Sequence, residues 1–315
     1  MKKKLKVGTR GSKLATTQTK QALVLFNQHF PEIELELVKI KTKGDHLANH
    51  SLLAIGGQGA FVRELEYQLR EGKIDFAVHS LKDIPTRIHE ELAIGCFLKR
   101  KSPTDAILFP EAGLSLDKLP QKAVVGTSSL RRKAQLLHAR PDLDIQPIRG
   151  NIDTRIRKMN EGQYDAIVLA LAGLERMGLE ESVPHQELSP DTMLPAIGQG
   201  ALAFECRKDN TEVRELLKKM NDEATAGAVA AERAFLGSLD GSCTFPVGAY
   251  AQKKGDVYEL TGMIGSENGV IILKETQKDS DPQRLGKAVA TTLIQQGAIQ
   301  LIEECRNDQE KIIIH

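Results

Sequence analysis

The sequence predicts an α/β protein of three domains, two similar lobes followed by a smaller α+β domain at the C-terminus. Three observations carry this. At 315 residues the chain exceeds one ordinary domain. Short β-rich runs alternate with helix-periodic stretches until about residue 200, the pattern of helices layered on parallel strands. From about residue 220 that alternation stops, and an alanine-rich helix leads into a hairpin pattern.

Lys6–Thr9 reads as a strand, Ser12–Phe26 as a helix and Ile33–Ile40 as a second strand. Gly44–Gly59 is polar and glycine-rich, as expected of a mobile loop or lid. The helix after it puts Phe61, Leu65 and Leu69 on one face at i, i+4, i+8 spacing, and Ile74–His79 is the next strand. The pattern restarts near Lys99–Pro103 with the strand Val124–Thr127, the helix Leu130–Ala139 and the strand Ile145–Ile148. Ile156–Met159 is helical and Ala166–Ala170 a strand. Pro184–Pro195 reads as a turn-rich link into the strand Ala201–Cys206. The chain thus crosses between lobes near residues 100 and 200: 1–99 with 200–217 form one lobe and 100–199 the other. The third domain, 218–315, begins with the helix Ala224–Leu236. Val257–Gly262 and Val270–Thr276 then pair across Ser266–Gly269, and a final helix covers Leu285–Gln296.

Composition narrows the function. Basic and acidic residues nearly balance, 43 against 42, for a net charge of +1. General nucleic-acid binders carry a marked basic excess, and 4% aromatics with no Trp leave few platforms for stacking bases. No nucleic-acid partner is expected, although Arg149, Arg155, Arg157 and Lys158 form the one cluster that an RNA-binding alternative could use. No apolar run approaches the roughly 20 residues of a membrane span. The basic start Met1–Lys4 has no hydrophobic signal core after it, so a cytoplasmic location without a membrane partner is expected. The same missing export signal speaks against a non-catalytic solute-binding protein.

Cys96, Cys206, Cys243 and Cys305 lie far apart with no CxxC pair, which disfavours a zinc site or a disulfide framework. The first, second and fourth fall in or beside apolar runs and read as core thiols, whereas Cys243 lies in the turn Asp240-Gly241-Ser242-Cys243-Thr244. His46 and His50 have i, i+4 spacing but no third ligand, so no metal is expected.

The chemical signal is positional. Five apolar strands each run into a polar segment: Arg10–Ser12, His79–Asp83, Thr127–Arg132, Arg149–Arg155 and Ala172–Arg176. In open parallel sheets ligands bind beyond the carboxyl ends of strands, where helix N-termini favour anions. Ser128 or Ser129 is placed to cap the next helix, with Arg131 and Arg132 fanning out from its first turn. Arg10, Arg131, Arg132, Arg149, Arg155 and Arg176 could offer six guanidinium forks to a substrate rich in carboxylates. Each such bond contributes about 1.5–3 kcal/mol.

The segments VGTRGSKLA (7–15), AVHSLKDIPT (77–86), VGTSSLRR (125–132), IRGNIDTR (148–155), LPAIGQGALAFECR (194–207) and DGSCTFPVGAYA (240–251) closely resemble the porphobilinogen deaminase family, in its order and spacing. The last 60 or so residues match it only loosely. The resemblance implies two lobes like those of type II periplasmic binding proteins. It implies a transferase of haem and porphyrin biosynthesis that condenses four porphobilinogen molecules into hydroxymethylbilane with release of ammonia. It further implies a dipyrromethane cofactor held by thioether to Cys243, with Lys82, Ser80, Thr127, Ser129, Arg131, Arg132 and Arg155 around it. Arg10, Ser12, Arg149, Arg176 and Gln199 match positions that contact substrate, and Asp83 matches the catalytic acid. One departure is Gln58, where the family usually has Lys. Nothing in the sequence requires more than a monomer.

Overall fold

Two five-stranded sheets with one strand order dominate the structure, a computed structural model that describes residues 4–41, 62–239 and 245–314. The first sheet contains β1 (Lys4–Arg10), β2 (Glu34–Ile40), β3 (Phe76–Ser80), β4 (Leu92–Phe97) and β10 (Leu202–Arg207), in the order β2-β1-β3-β10-β4. The second contains β5 (Asp105–Leu108), β6 (Val124–Gly126), β7 (Asp144–Gln146), β8 (Ala166–Ala170) and β9 (His185–Leu188), in the order β7-β6-β8-β5-β9. Position by position the two orders correspond, with β6 standing where β1 stands and β8 where β3 stands.

Neither sheet is all parallel, which corrects the expectation of parallel layers. β1 runs parallel to β2 and β3, but β10 is antiparallel to both β3 and β4. Likewise β6 is parallel to β7 and β8, and β5 is antiparallel to β8 and β9. Each antiparallel strand is the first after a crossing of the chain. The described chain forms two compact units, Met1–Lys101 with Gly200–Ala226 and Ser102–Gln199 with Gly227–His315. The boundaries between these units fall at 101/102, 199/200 and 226/227, and the second unit holds both the second five-stranded sheet and the C-terminal sheet.

Apolar side chains alternate along the buried strands and fill both faces of the first sheet. On one face Phe26 of α1 (Lys13–His29) stacks on Phe76, and Phe76 on Phe204, with ring centroids 5.6 and 5.5 Å apart. Each such buried ring contributes about 1.5–3 kcal/mol. On the other face Leu65 and Leu69 of α2 (Arg63–Arg70) pack with Ile74, Ala77 and Leu92. The second sheet lies among α3 (Leu130–Ala139), α4 (Ile152–Asn160) and α5 (Leu171–Met177), with Leu136 on one face and Ile148, Met159 and Leu174 on the other. The helix α6 (Thr211–Lys218) packs on β4 and β10.

In the C-terminal part, α7 (Glu223–Ser238) precedes an antiparallel sheet of β11 (Val247–Lys254), β12 (Val257–Gly265) and β13 (Ile272–Asp279). The expected hairpin is thus two strands of three. α8 (Pro282–Gln295) matches the helix expected to be last, but a further helix, α9 (Ala298–Ile314), follows Gly297. Within the expected link 184–195 the short strand β9 closes the second sheet. The expected lid Gly44–Gly59, with His46, His50 and Gln58, lies outside the described residues, as does Phe61.

Candidate active site

Polar groups at the strand ends gather in each unit. In the first, Ser12 caps α1, its hydroxyl accepting from Ala15 N at 3.2 Å and satisfying an otherwise free N–H of the helix. Ser80 at the end of β3 donates to Gln18 Oε1 of that helix at 2.9 Å. The chain then tightens into a 3-10 turn, Leu81–Asp83, pinned by the buried Leu81 and presenting Lys82 and Asp83. Arg10 Nη1 lies 3.7 Å from Asp83 Oδ2, and the Asp83 side chain keeps 37% exposure. A carboxylate therefore stands open beside a guanidinium, at the carboxyl ends of two neighbouring parallel strands.

Deeper in the same unit, Glu205 of β10 is fully buried. His79 Nε2 stands 3.0 Å from its Oε2 but is not aligned for a hydrogen bond. Burial, and after it the Glu205 charge, pushes the Glu66 carboxyl of α2 up.

In the second unit Ser129 caps α3, accepting from Arg132 N at 3.4 Å, and Thr127 Oγ1 accepts from Ser129 N at 3.2 Å. Ser128 is not the cap; its hydroxyl donates to the Ile148 carbonyl at 2.9 Å. The cap sets Arg131 and Arg132 in the first turn, where the helix dipole disfavours cations. Expected to fan outward, both instead fold back on Asp105. Arg131 Nη1 donates to Asp105 Oδ2 at 2.7 Å, and Arg132 Nε and Nη2 donate to Oδ1 at 3.0 and 2.6 Å. Remaining donors reach the Leu194 and Val168 carbonyls at 2.7 and 2.9 Å. Gln199, buried too, places Nε2 at 3.1 Å from Asp105 Oδ1 and 2.7 Å from the Pro103 carbonyl. Burial alone would raise the Asp105 carboxyl, but the charges of Arg131 and Arg132 outweigh it and hold the group well below the usual carboxylate range.

Arg132 and Arg149 also lie near enough to Arg155 for their charges to be felt there. Burial first, and then the charges of Arg132 and Arg149, push the Arg155 guanidinium down to about 10. Its Nε donates to the Gly150 carbonyl at 2.7 Å. Arg176 in α5 is buried, which also pushes it down to about 10. The structure thus joins Arg10 with Asp83, and Arg131, Arg132 and Gln199 with Asp105, and gathers Arg132, Arg149 and Arg155. Cys243 lies outside the described residues.

Sequence reasoning missed Asp105. Its signal was an acid opening the apolar run Ala106–Phe109, but its arginine partners lie 26 and 27 positions away. Gln135 was missed as well; its amide brackets Leu194, accepting from Leu194 N at 2.7 Å and donating to Leu194 O at 3.2 Å. Among the described residues no group of His, Cys, Asp and Glu could hold a metal ion, and no helix is long and apolar enough to cross a membrane.

Comparison with known proteins gives this geometry its family. The model described as "Porphobilinogen deaminase, dipyromethane cofactor binding domain" matches residues 5–215, and "Porphobilinogen deaminase, C-terminal domain" matches residues 226–295. The porphobilinogen deaminase of an Exiguobacterium species is 48% identical over 95% of this chain and 98% of that protein. That of Listeria innocua is 46% identical over 98% of this chain and all of the relative. A solved structure, the VFT2 domain of Bordetella pertussis BvgS, is 18% identical with a TM-score of 0.41 over 73% of this chain and 92% of that domain, too distant to add to the strand orders above. With both family models in order along it and nearly half its residues shared with relatives of the same length, the chain belongs to the porphobilinogen deaminase family.

Proposed function

We propose that the two units divide the family's reaction between chemistry and binding. That reaction condenses four porphobilinogen molecules into the linear hydroxymethylbilane with loss of ammonia, a transferase step of porphyrin and haem biosynthesis. When bound, the family's dipyrromethane cofactor supplies the free pyrrole carbon from which the product grows. Each of its rings carries two carboxylates, and the residues of the second unit fit such a group. The observation that carries this is the half-buried Arg155, lowered first by burial and then by the charges of Arg132 and Arg149, while Asp105 already serves Arg131 and Arg132. An anion there relieves the repulsion among these like charges.

In this account Arg132, Arg149 and Arg155 hold carboxylates, Arg176 extends the cationic wall, and Thr127 and Ser129 offer hydroxyls beside them. Arg131 and Gln199 fix Arg132 through Asp105. Cys243 holds the cofactor by thioether. In the first unit Asp83 faces the pyrrole N–H of incoming porphobilinogen and stabilises the positive charge that develops as ammonia leaves. Arg10 orients that carboxylate, while Ser12, Ser80 and Lys82 bind around it. The protein is read as a cytoplasmic monomer, and its balanced charge speaks against a nucleic-acid partner.

Ammonia release from porphobilinogen tests the binding half. The wild type should release it, and Arg149→Leu and Arg155→Leu should each lose roughly 10–100-fold in turnover or fail to retain cofactor, the worth of one or two charge-assisted bonds. Unchanged turnover and cofactor content in both variants would overturn the assignment.

A further inference from the structure

The loop 266–271 between β12 and β13 has no part in the chemistry above, yet it is built in detail. Ser266 Oγ donates to Asn268 Oδ1 at 2.7 Å and accepts from Ile271 N at 2.9 Å, and Val270 N donates to Asn268 Oδ1 at 3.1 Å. The preformed loop sits on α3, the helix whose first turn carries Arg131 and Arg132. His138 Nδ1 donates to the Gly269 carbonyl at 2.9 Å, and Lys133 Nζ pairs with Glu267 Oε1 at 2.7 Å. Gly269 has φ +73°, and a Cβ there would run into the Ala134 carbonyl and stand 2.7 Å from His138 N. Only glycine lets the loop come this close.

The same sheet is fastened again at β11. Ala249 N donates to the Pro195 carbonyl at 3.0 Å, and a Cβ on Gly248 would stand 3.0 Å from the Leu194 carbonyl and 3.2 Å from Arg131 Cδ. The buried Glu232 of α7 accepts from Gly198 N at 2.7 Å through one oxygen and from Ala251 N at 2.9 Å through the other. Three fastenings between one small sheet and the Arg131–Gln199 network exceed what a sheet free to swing would keep.

We propose that the 266–271 loop is a positioning device that clamps the C-terminal sheet to α3, so that Arg131 and Arg132 keep one fixed place relative to β11 through every round of addition. The proposal rests on the family reaction stated above. Growth of the product is then accommodated elsewhere, and Gly269 acts on the reaction only through α3.

The test uses the holoenzyme and follows complexes carrying one, two and three added pyrroles by intact mass, beside kcat, KM and the melting temperature. Lys133→Cys with Glu267→Cys, bridged by a short bis-maleimide while Cys96, Cys206 and Cys305 are buried, should turn over within about twofold of the wild type. Its ladder of complexes should be unchanged. Gly269→Val should lower kcat about tenfold or more and pile up partial complexes, at a melting temperature where the enzyme is still folded. A bridged enzyme that stalls, or a folded Gly269→Val with the wild-type ladder, would overturn the clamp. If Gly269→Val does not fold, the bridged enzyme decides alone. A wild type that takes up no porphobilinogen would instead overturn the reaction on which the clamp rests.

Discussion

The first and second lobes share a strand order and treat charge in opposite ways. In the first, the polar turn after β3 leaves Asp83 at 37% side-chain exposure with Arg10 at 3.7 Å. In the second, Asp105 has no exposure and its two oxygens take Arg131, Arg132 and Gln199 at 2.6–3.1 Å. An open, loosely held acid can meet a substrate and stabilise charge as it develops. A sealed one can only hold its neighbours in place. One topology thus presents an open acid in one lobe and a sealed, arginine-bound acid in the other, which is the contrast that the proposed division between chemistry and binding rests on.

The largest expected effect lies with the open acid. Asp83→Asn should keep the cofactor and lower turnover roughly 100–10,000-fold, measured as ammonia release per bound cofactor. Near-normal turnover would remove Asp83 from the mechanism and leave the contrast without its active member. The sealed acid should respond in stability instead. Asp105→Asn strands Arg131 and Arg132 at a helix N-terminus and should cost the second unit about 3–5 kcal/mol by urea denaturation. A loss no larger than that of a surface substitution would show that the network is not needed.

Acid should separate the lobes further. The Asp105 carboxyl is depressed in the folded state, so its contribution is full above the unfolded value near 4 and is lost as pH falls below it. Glu66 is raised by burial and by Glu205, so the opposite sign applies, and its protonation relieves the first unit as pH falls through the raised value. Hydrogen exchange between about pH 6 and pH 3 should show protection falling in α3 and β5 before it falls in α2. The reverse order would contradict both assignments. The smallest effects test the shared design. Ser12→Ala and Ser129→Ala remove caps from equivalent helices and should each cost about 1 kcal/mol, read from urea midpoints.

Much of this was legible in residues alone. β1, β3, β6 and β8 are apolar runs that end in polar segments, and Ser129 is a capping residue before a periodic helix. β4, β5, β9 and β11 are not among the strands expected: Leu92–Phe97 and Asp105–Leu108 are short apolar runs with no helix pattern between them, and His185–Leu188 and the Gln252–Lys254 end of β11 are too polar to stand out from turns. The direction of β5 and β10 follows from how the chain crosses between units, which no local pattern records. For the same reason the target of Arg131 and Arg132 was misjudged: charge and spacing identify the arginines, but only the fold brings Asp105 beneath them.

The division of labour requires a covalently held cofactor beside the arginines of the second lobe, and intact mass measures it most directly. The purified wild type should weigh more than its sequence by two linked pyrrole units, and Cys243→Ser prepared in the same way should weigh its bare sequence mass. A wild type that shows the bare mass even after incubation with porphobilinogen would contradict the account.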